Sequence, residues 1–128
     1  MKTEKVQNGV LEHWSPQDVN EAFDRNEIVL IDVRTPQEFS LERIRGALLA
    51  PLQSFEPDHF PSQSEKQIVF HCGSGVRSSK VAMRCLQDGI DRIAHMDGGF
   101  GAWKKAGLEY IGIDVSTGAP KAIKDSTG

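Results

Sequence analysis

Cys72-Gly73-Ser74-Gly75-Val76-Arg77-Ser78 concentrates a thiol, two glycines, an arginine and two hydroxyls in one short run. The stretch before it, Gln67-Ile68-Val69-Phe70-His71, is apolar enough to read as a buried strand. Behind it, Ser78 or Ser79 is placed to cap a helix whose positions Val81, Ala82, Cys85 and Leu86 share one face. Strand, tight loop and helix N-terminus together form an anion cradle. The first backbone N–H groups of a helix have no internal partner, and the positive end of the dipole favours negative charge. A free thiol titrates at about 8.5, and a helix start or a nearby arginine lowers that value. The segment therefore reads as a nucleophilic cysteine facing a small anion. The plain alternative is a buried cysteine beside a glycine turn.

Several elements must hold this loop in place. Val10-Leu11-Glu12-His13 is a short strand candidate. Ser15-Pro16-Gln17-Asp18 carries a cap, a proline and a first-turn acid, which predicts a helix to about Arg25 with Val19, Ala22 and Phe23 inward. Ile28-Val29-Leu30-Ile31 is a continuous apolar run, as in a strand covered on both faces. Thr35-Pro36-Gln37-Glu38 repeats the cap signature and opens a short helix. Residues Ile44 to Leu49 are expected to hold another strand, and Phe55 to Phe60, bounded by prolines, one helical turn. The helix behind the cysteine loop is expected over Ser79 to Gln87 with Gly89 closing it. Arg92 to Met96 reads as a strand, and Phe100 to Ala106 as a last helix after Gly98-Gly99.

Apolar strands alternating with helices signify an α/β domain with a mostly parallel sheet. In such sheets small ligands sit beyond the C-terminal strand ends. Asp32, Cys72 and Asp97 all follow strand ends, so one rim should gather them. Residues 1–112 are read as a single domain and residues 113–128, rich in Gly, Ser, Thr and Lys, as a loose tail.

Composition narrows the function. The chain has 128 residues, 38% hydrophobic and 26% charged, with a net charge of −3. An acidic balance argues against nucleic acid as the main partner. No apolar run approaches the roughly 20 residues of a membrane span, and the start of the chain lacks the apolar core of a signal peptide. A cytoplasmic location and no membrane partner are the resulting expectations. Two cysteines, Cys72 and Cys85, make no disulfide framework. No CxxC or HExxH spacing indicates a metal site, and no cofactor motif is present. His13, His59, His71 and His95 are scattered along the sequence and read as structural or solvated.

Three stretches in order resemble the rhodanese (sulfurtransferase) domain family. They are Ile31-Asp32-Val33-Arg34-Thr35-Pro36-Gln37-Glu38-Phe39 with Ile44-Arg45-Gly46-Ala47 and Pro51, then the Cys72–Ser78 loop, then Gly98-Gly99-Phe100-Gly101-Ala102-Trp103 with Gly107. The resemblance spans about residues 10 to 110. It implies a five-stranded, mostly parallel sheet flanked by helices on both faces, with the cysteine loop at the C-terminal rim. One departure is Glu42-Arg43 where the family usually has Gly-His.

The activity the resemblance implies is a two-step transfer. A Cys72 thiolate takes the sulfane sulfur of a small anionic donor such as thiosulfate, forming a persulfide. A thiol, cyanide or a sulfur-relay protein then accepts that sulfur. Backbone N–H groups from Gly73 to Ser78 are suited to hold the negative sulfur, and Gly73 and Gly75 to let the loop curl through positive φ. Arg77 either binds the anionic donor or pins the loop by bonding backbone carbonyls or Asp32. Ser78 is either a donor to sulfur or a helix cap. Asp32 and Arg34 are read as supporting architecture, with Arg34 and Glu38 closing a turn. Lys80 and Arg84 read as a solvated face, Phe100 and Trp103 as core, Cys85 as inert and His71 as packing. Rival readings are a persulfide carrier or docking module, and a cysteine phosphatase or arsenate reductase. The latter enzymes have five residues between Cys and Arg, whereas four intervene here, Gly73 to Val76.

Overall fold

A computed structural model describes the chain except residues 8, 57–61 and 125–128. In chain order the elements are β1 (Lys2–Val6), β2 (Gly9–Trp14), α1 (Pro16–Asp24), β3 (Ile28–Asp32), α2 (Pro36–Leu41), β4 (Leu48–Leu49), a 3-10 turn (Leu52–Ser54), β5 (Gln67–His71), α3 (Val76–Gln87), β6 (Arg92–Met96), α4 (Gly99–Lys105), β7 (Tyr110–Ile113) and β8 (Pro120–Ile123).

The main sheet has six strands in the order β1-β2-β6-β5-β3-β4. Five of them, β2 to β4 in that order, run parallel, as the alternation of strands and helices requires. The sixth, β1, is an added antiparallel edge strand paired to β2. Its sequence, Lys-Thr-Glu-Lys-Val, is mostly exposed and has no apolar face to advertise it. Charged side chains on an edge strand also discourage pairing with other chains.

Period-two alternation divides the strand side chains between two cores. On one face Leu11, Ile31, Ile68, Phe70, Cys72 and Ile93 pack with Val81, Ala82, Cys85 and Leu86 of α3. On the other, Leu30, Val69, Ala94 and Met96 pack with Val19 and Ala22 of α1 and Phe100 and Trp103 of α4. Burying each such side chain contributes about 1.5–3 kcal/mol, so the two helical layers clamp the sheet in place.

The helix signals operate as read. Ser15 accepts from the Asp18 N–H at 3.1 Å. Thr35 and Glu38 form a reciprocal capping box. Three expectations are corrected. The strand over Ile44 to Leu49 shrinks to Leu48–Leu49, because Gly46 takes a positive φ of 85° and turns the chain first. Helix α3 begins at Val76, three residues before the expected Ser79. The segment read as a loose tail carries β8, which pairs with β7 and returns through Gly118. The turn expected over Phe55 to Phe60 falls mostly outside the described residues, and the 3-10 turn lies just before it.

Candidate active site

Strand β5 delivers the cysteine. Ile68 and Phe70 point to the α3 face, so Cys72, two further on, points there too. Gly75 then turns the backbone through φ 104° and caps α3. That reversal swings successive N–H groups back over the sulfur. The Gly75 N–H donates to Cys72 Sγ at 3.1 Å and the Ser78 N–H donates at 3.3 Å. Ser78 is in the first turn of α3, where an N–H has no helical acceptor, so the sulfur supplies one. Gly73 does not take a positive φ; Gly75 alone makes the reversal within the loop.

The outward-facing carbonyls of the same loop are held by α4. The Phe100 N–H donates to the Cys72 carbonyl at 2.7 Å and the Gly101 N–H to the Gly73 carbonyl at 3.0 Å. The free N–H groups of one short helix thus fix which way the loop peptides face. Gly99 permits the approach: a Cβ there would stand 2.6 Å from the Cys72 carbonyl oxygen.

Cys72 is fully buried, yet its thiol pKa is lowered. Burial is the largest influence and pushes it up. Hydrogen bonds from the Ser78 hydroxyl and from the Ser78, Gly75 and Ser74 amides more than offset that push. Cys85 shows the opposite balance. It too is buried, but without such donors, and burial drives its pKa up to about 11.

Arg77 pins the loop, though not through the partners expected. Its Nη1 and Nη2 donate to the two carboxylate oxygens of Glu38 on α2, at 2.8 and 3.0 Å. That fork holds Glu38 down at about 2, with the Thr35 hydrogen bonds adding to it and partial burial opposing it. Arg34 consequently does not close a turn with Glu38. It grips Asp32 instead, its Nε donating at 3.0 Å and Nη2 at 2.8 Å, while Nη2 also reaches the Glu42 carbonyl at 2.6 Å. The pair is buried, and the Arg34 guanidinium lies over the Phe100 ring. Removing one member of a buried pair costs about 3–5 kcal/mol, so loss of either side chain would leave a buried charge uncompensated.

Ser78 is not a helix cap. Its Oγ lies 3.6 Å from Cys72 Sγ and 2.9 Å from His95 Nδ1. The histidines are not as scattered as their sequence positions imply, since His13 Nδ1 lies 2.8 Å from His95 Nε2. Neither contact was anticipated, although strand parity carried the signal. Leu11 and Ile93 face α3, so His13 and His95, two positions on, face it as well. His71 falls on the opposite face, stacked on Phe100 and fully buried. Phe100 and Trp103 are core residues, and Lys80 and Arg84 stand exposed on α3. Val76 is exposed at the outer edge of the loop. Arg43 lies away from the sulfur, bridged to Ile111 of β7 and resting on the Phe39 ring.

The chain matches the rhodanese-like domain family over residues 15–106. It belongs to that family. Among its relatives, an uncharacterized protein of Synechocystis is 34% identical over 97 residues, which cover 76% of this chain and 54% of that one. A sulfurtransferase of Allochromatium vinosum is 30% identical, over 69% of this chain and 82% of the relative. A tRNA uridine(34) hydroxylase of Staphylococcus carnosus is 30% identical over 73% of this chain. The chain thus spans about half of the Synechocystis protein and 31% of the hydroxylase. Among solved structures, a rhodanese-related protein of Thermoplasma volcanium superposes with a TM-score of 0.68 at 20% identity, covering 77% of this chain and 96% of that one. A Rhodopseudomonas palustris protein described as a possible tyrosine phosphatase superposes at 0.65 with 27% identity, covering 77% and 83%. No helix among the described residues is long and apolar enough to cross a membrane.

Proposed function

We propose that this rhodanese-like domain is a sulfurtransferase whose Cys72 carries the transferred sulfur as a persulfide. The observation that carries the reading is the pair of backbone N–H groups, from Gly75 and Ser78, aimed at Cys72 Sγ from within one tight loop. They stabilise a thiolate before the reaction and negative sulfur after it. The thiolate attacks the outer sulfur of a donor such as thiosulfate. A new S–S bond forms, the old one breaks, and sulfite leaves with the bonding pair. A thiol or cyanide then removes the outer sulfur and returns the thiolate. The identity to a bacterial sulfurtransferase over most of both chains supports this assignment.

An open cleft of about 500 Å³ runs beside the loop at Ser74 and Gly98, with Lys2, His13 and Asp97 on its walls. Of the loop residues, Ser74 lines it. The phosphatase reading has a structural neighbour in its favour. The span from Gly73 to Val76 between Cys72 and Arg77, and the commitment of Arg77 to Glu38, favour a single sulfur over a phosphate.

Mass spectrometry after thiosulfate treatment should show one added sulfur atom on Cys72 and none on Cys85. Sulfur on Cys85, or on neither, overturns the assignment. Turnover of an aryl phosphate that disappears in Cys72→Ser would establish the phosphatase instead.

A further inference from the structure

A thiol sealed beneath its own loop has to lose its proton before it can attack, and no solvent touches it. A continuous line of side chains leads away from it. Cys72 Sγ is 3.6 Å from Ser78 Oγ, Ser78 Oγ is 2.9 Å from His95 Nδ1, His95 Nε2 is 2.8 Å from His13 Nδ1, and His13 Nε2 is 2.9 Å from Glu4 Oε1. The line crosses α3, β6, β2 and β1 and ends at an exposed carboxylate. His13 also borders the open cleft beside the loop.

We infer that Ser78, His95 and His13 form a proton relay that carries the Cys72 thiol proton to solvent beside Glu4 and returns it after sulfur is released. The inference rests on the reading of Cys72 as the sulfur-accepting thiol.

The polarity of the line follows from its last member. An ionised carboxylate only accepts, so His13 Nε2–H donates to Glu4. His13 Nδ1 then accepts from His95 Nε2–H, His95 Nδ1 accepts from the Ser78 hydroxyl, and Ser78 Oγ accepts from the thiol. The Ser78 hydroxyl has one competing acceptor, the Gly75 carbonyl, at the longer distance of 3.3 Å. Ionisation moves one proton along each link. The sulfur proton passes to Ser78 Oγ, the hydroxyl proton to His95 Nδ1, and the His95 Nε2 proton to His13 Nδ1. His13 becomes an imidazolium beside Glu4, then loses its Nε2 proton to water in the cleft, and the exposed Glu4 carboxylate takes water as its donor in place of Nε2–H. The reversed line leaves the Ser78 hydroxyl donating to the thiolate, which stabilises it. One proton has left, one thiolate has formed, and no oxidant or reductant is involved.

Two surroundings suit His95 to relay rather than to store a proton. It is buried, and burial, followed by the neighbouring His13, lowers its pKa to about 4, with Asp97 and Glu4 opposing. On the loop side Arg77 interacts electrostatically with Cys72 while its guanidinium is bonded to Glu38. His95 therefore stays neutral while Cys72 titrates, and only its tautomer has to change.

The test uses the full chain with nitrogen-15 histidine. Long-range nitrogen–proton spectra report which ring nitrogen carries the proton. As pH rises through the ionisation of Cys72, His95 should switch from the Nε2–H to the Nδ1–H form, and in Cys72→Ala it should not. A single unchanged tautomer in the wild type, or the same switch in Cys72→Ala, overturns the relay. The kinetic arm follows single-turnover sulfur uptake from thiosulfate in His13→Gln and His95→Gln. General acid–base steps contribute about 100-fold or more, and interrupting a relay should slow uptake at least tenfold below the Cys72 midpoint found by alkylation. Well above the Cys72 midpoint, where the sulfur is already a thiolate, the loss should vanish. A pH-independent loss in both variants marks a structural role and sinks the idea. His13 is only half-buried, so its variant stays informative should His95→Gln fail to fold. Absence of sulfur uptake in the wild type would defeat the proposed function, while the tautomer measurement still decides the relay.

Discussion

Replacing Gly99 by alanine tests whether the α4 N-terminus sets the direction of the loop peptides. Gly99 sits at φ 63°, and its added Cβ would meet the Cys72 carbonyl oxygen and the Gly73 carbonyl carbon at 2.6 Å, and the Gly73 carbonyl oxygen at 2.7 Å. All three atoms are backbone, so no side chain can rotate out of the way. The left-handed conformation alone costs a non-glycine residue about 1–2 kcal/mol. Relieving three backbone overlaps adds about 1–3 kcal/mol, in the range measured for overpacked sites. A total near 3 kcal/mol corresponds to a fall in Tm of about 10 °C for a domain of this size. Because the strain falls on the carbonyls of Cys72 and Gly73, the relieving motion displaces the peptides that carry the sulfur-facing amides. A displacement approaching 1 Å at a reacting group costs about 100-fold. The assay pairs thermal unfolding with mass-detected sulfur uptake. Gly89→Ala is the control: φ is 105° there, but nothing lies within 4 Å of its added Cβ. It should show the conformational cost only and keep full uptake. If Gly99→Ala falls no further than Gly89→Ala and loads sulfur at the wild-type rate, the claim that α4 holds the loop is wrong.

Iodoacetamide alkylation against pH should give Cys72 a midpoint below the free-thiol value of about 8.5, with Cys85, held near 11 by burial, unreacted at neutral pH. A Cys72 midpoint at or above the free value would contradict the amide cradle. Arg77→Lys keeps the charge but loses the two-pronged grip on Glu38. Both side chains are about one-third exposed, so screening limits the stability loss to about 0.5 kcal/mol, whereas sulfur uptake should drop roughly tenfold as the loop loosens. Unchanged uptake in that variant would show that charge alone suffices. Acid should destabilise the fold through His71, whose buried ring has a pKa lowered to about 4 by burial, with Asp32 pulling the other way. The unfolded histidine takes up a proton at about 6.5 and the folded one does not. The His71 contribution is therefore complete above pH 6.5 and declines by up to about 3 kcal/mol as pH falls to 4, and His95, lowered to about 4 as well, adds in the same direction. Denaturant midpoints that stay level across that window would refute this account.

What was legible in the sequence was local. A strand followed by Cys72, a glycine reversal and a helix start can be read within twenty residues, because caps, prolines and positive-φ glycines act on their immediate neighbours. The parallel sheet followed from strands and helices that alternate. Boundaries shifted where a single glycine changed the path: Gly46 shortened β4, and Gly75, by capping α3, brought Ser78 into the first turn. The edge strand β1 went unread because its mostly exposed residues need no pattern, only a neighbour with free hydrogen-bonding groups.

Partner choice belonged to the tertiary structure. Arg77 could be assigned a pinning role from sequence, but Glu38, 39 positions away, became its partner only when α2 was packed beside the loop. Likewise Arg34 went to Asp32, whose fully buried carboxylate it grips through Nε and Nη2. His13 and His95 lie 82 residues apart, and only the parallel register of β2 on β6 sets them side by side. Local residue order placed a thiol at a helix start; the sheet register chose which groups surround it. The physical reason is that backbone conformation is governed by neighbours along the chain, whereas side-chain pairing depends on strand order and on which face each residue presents.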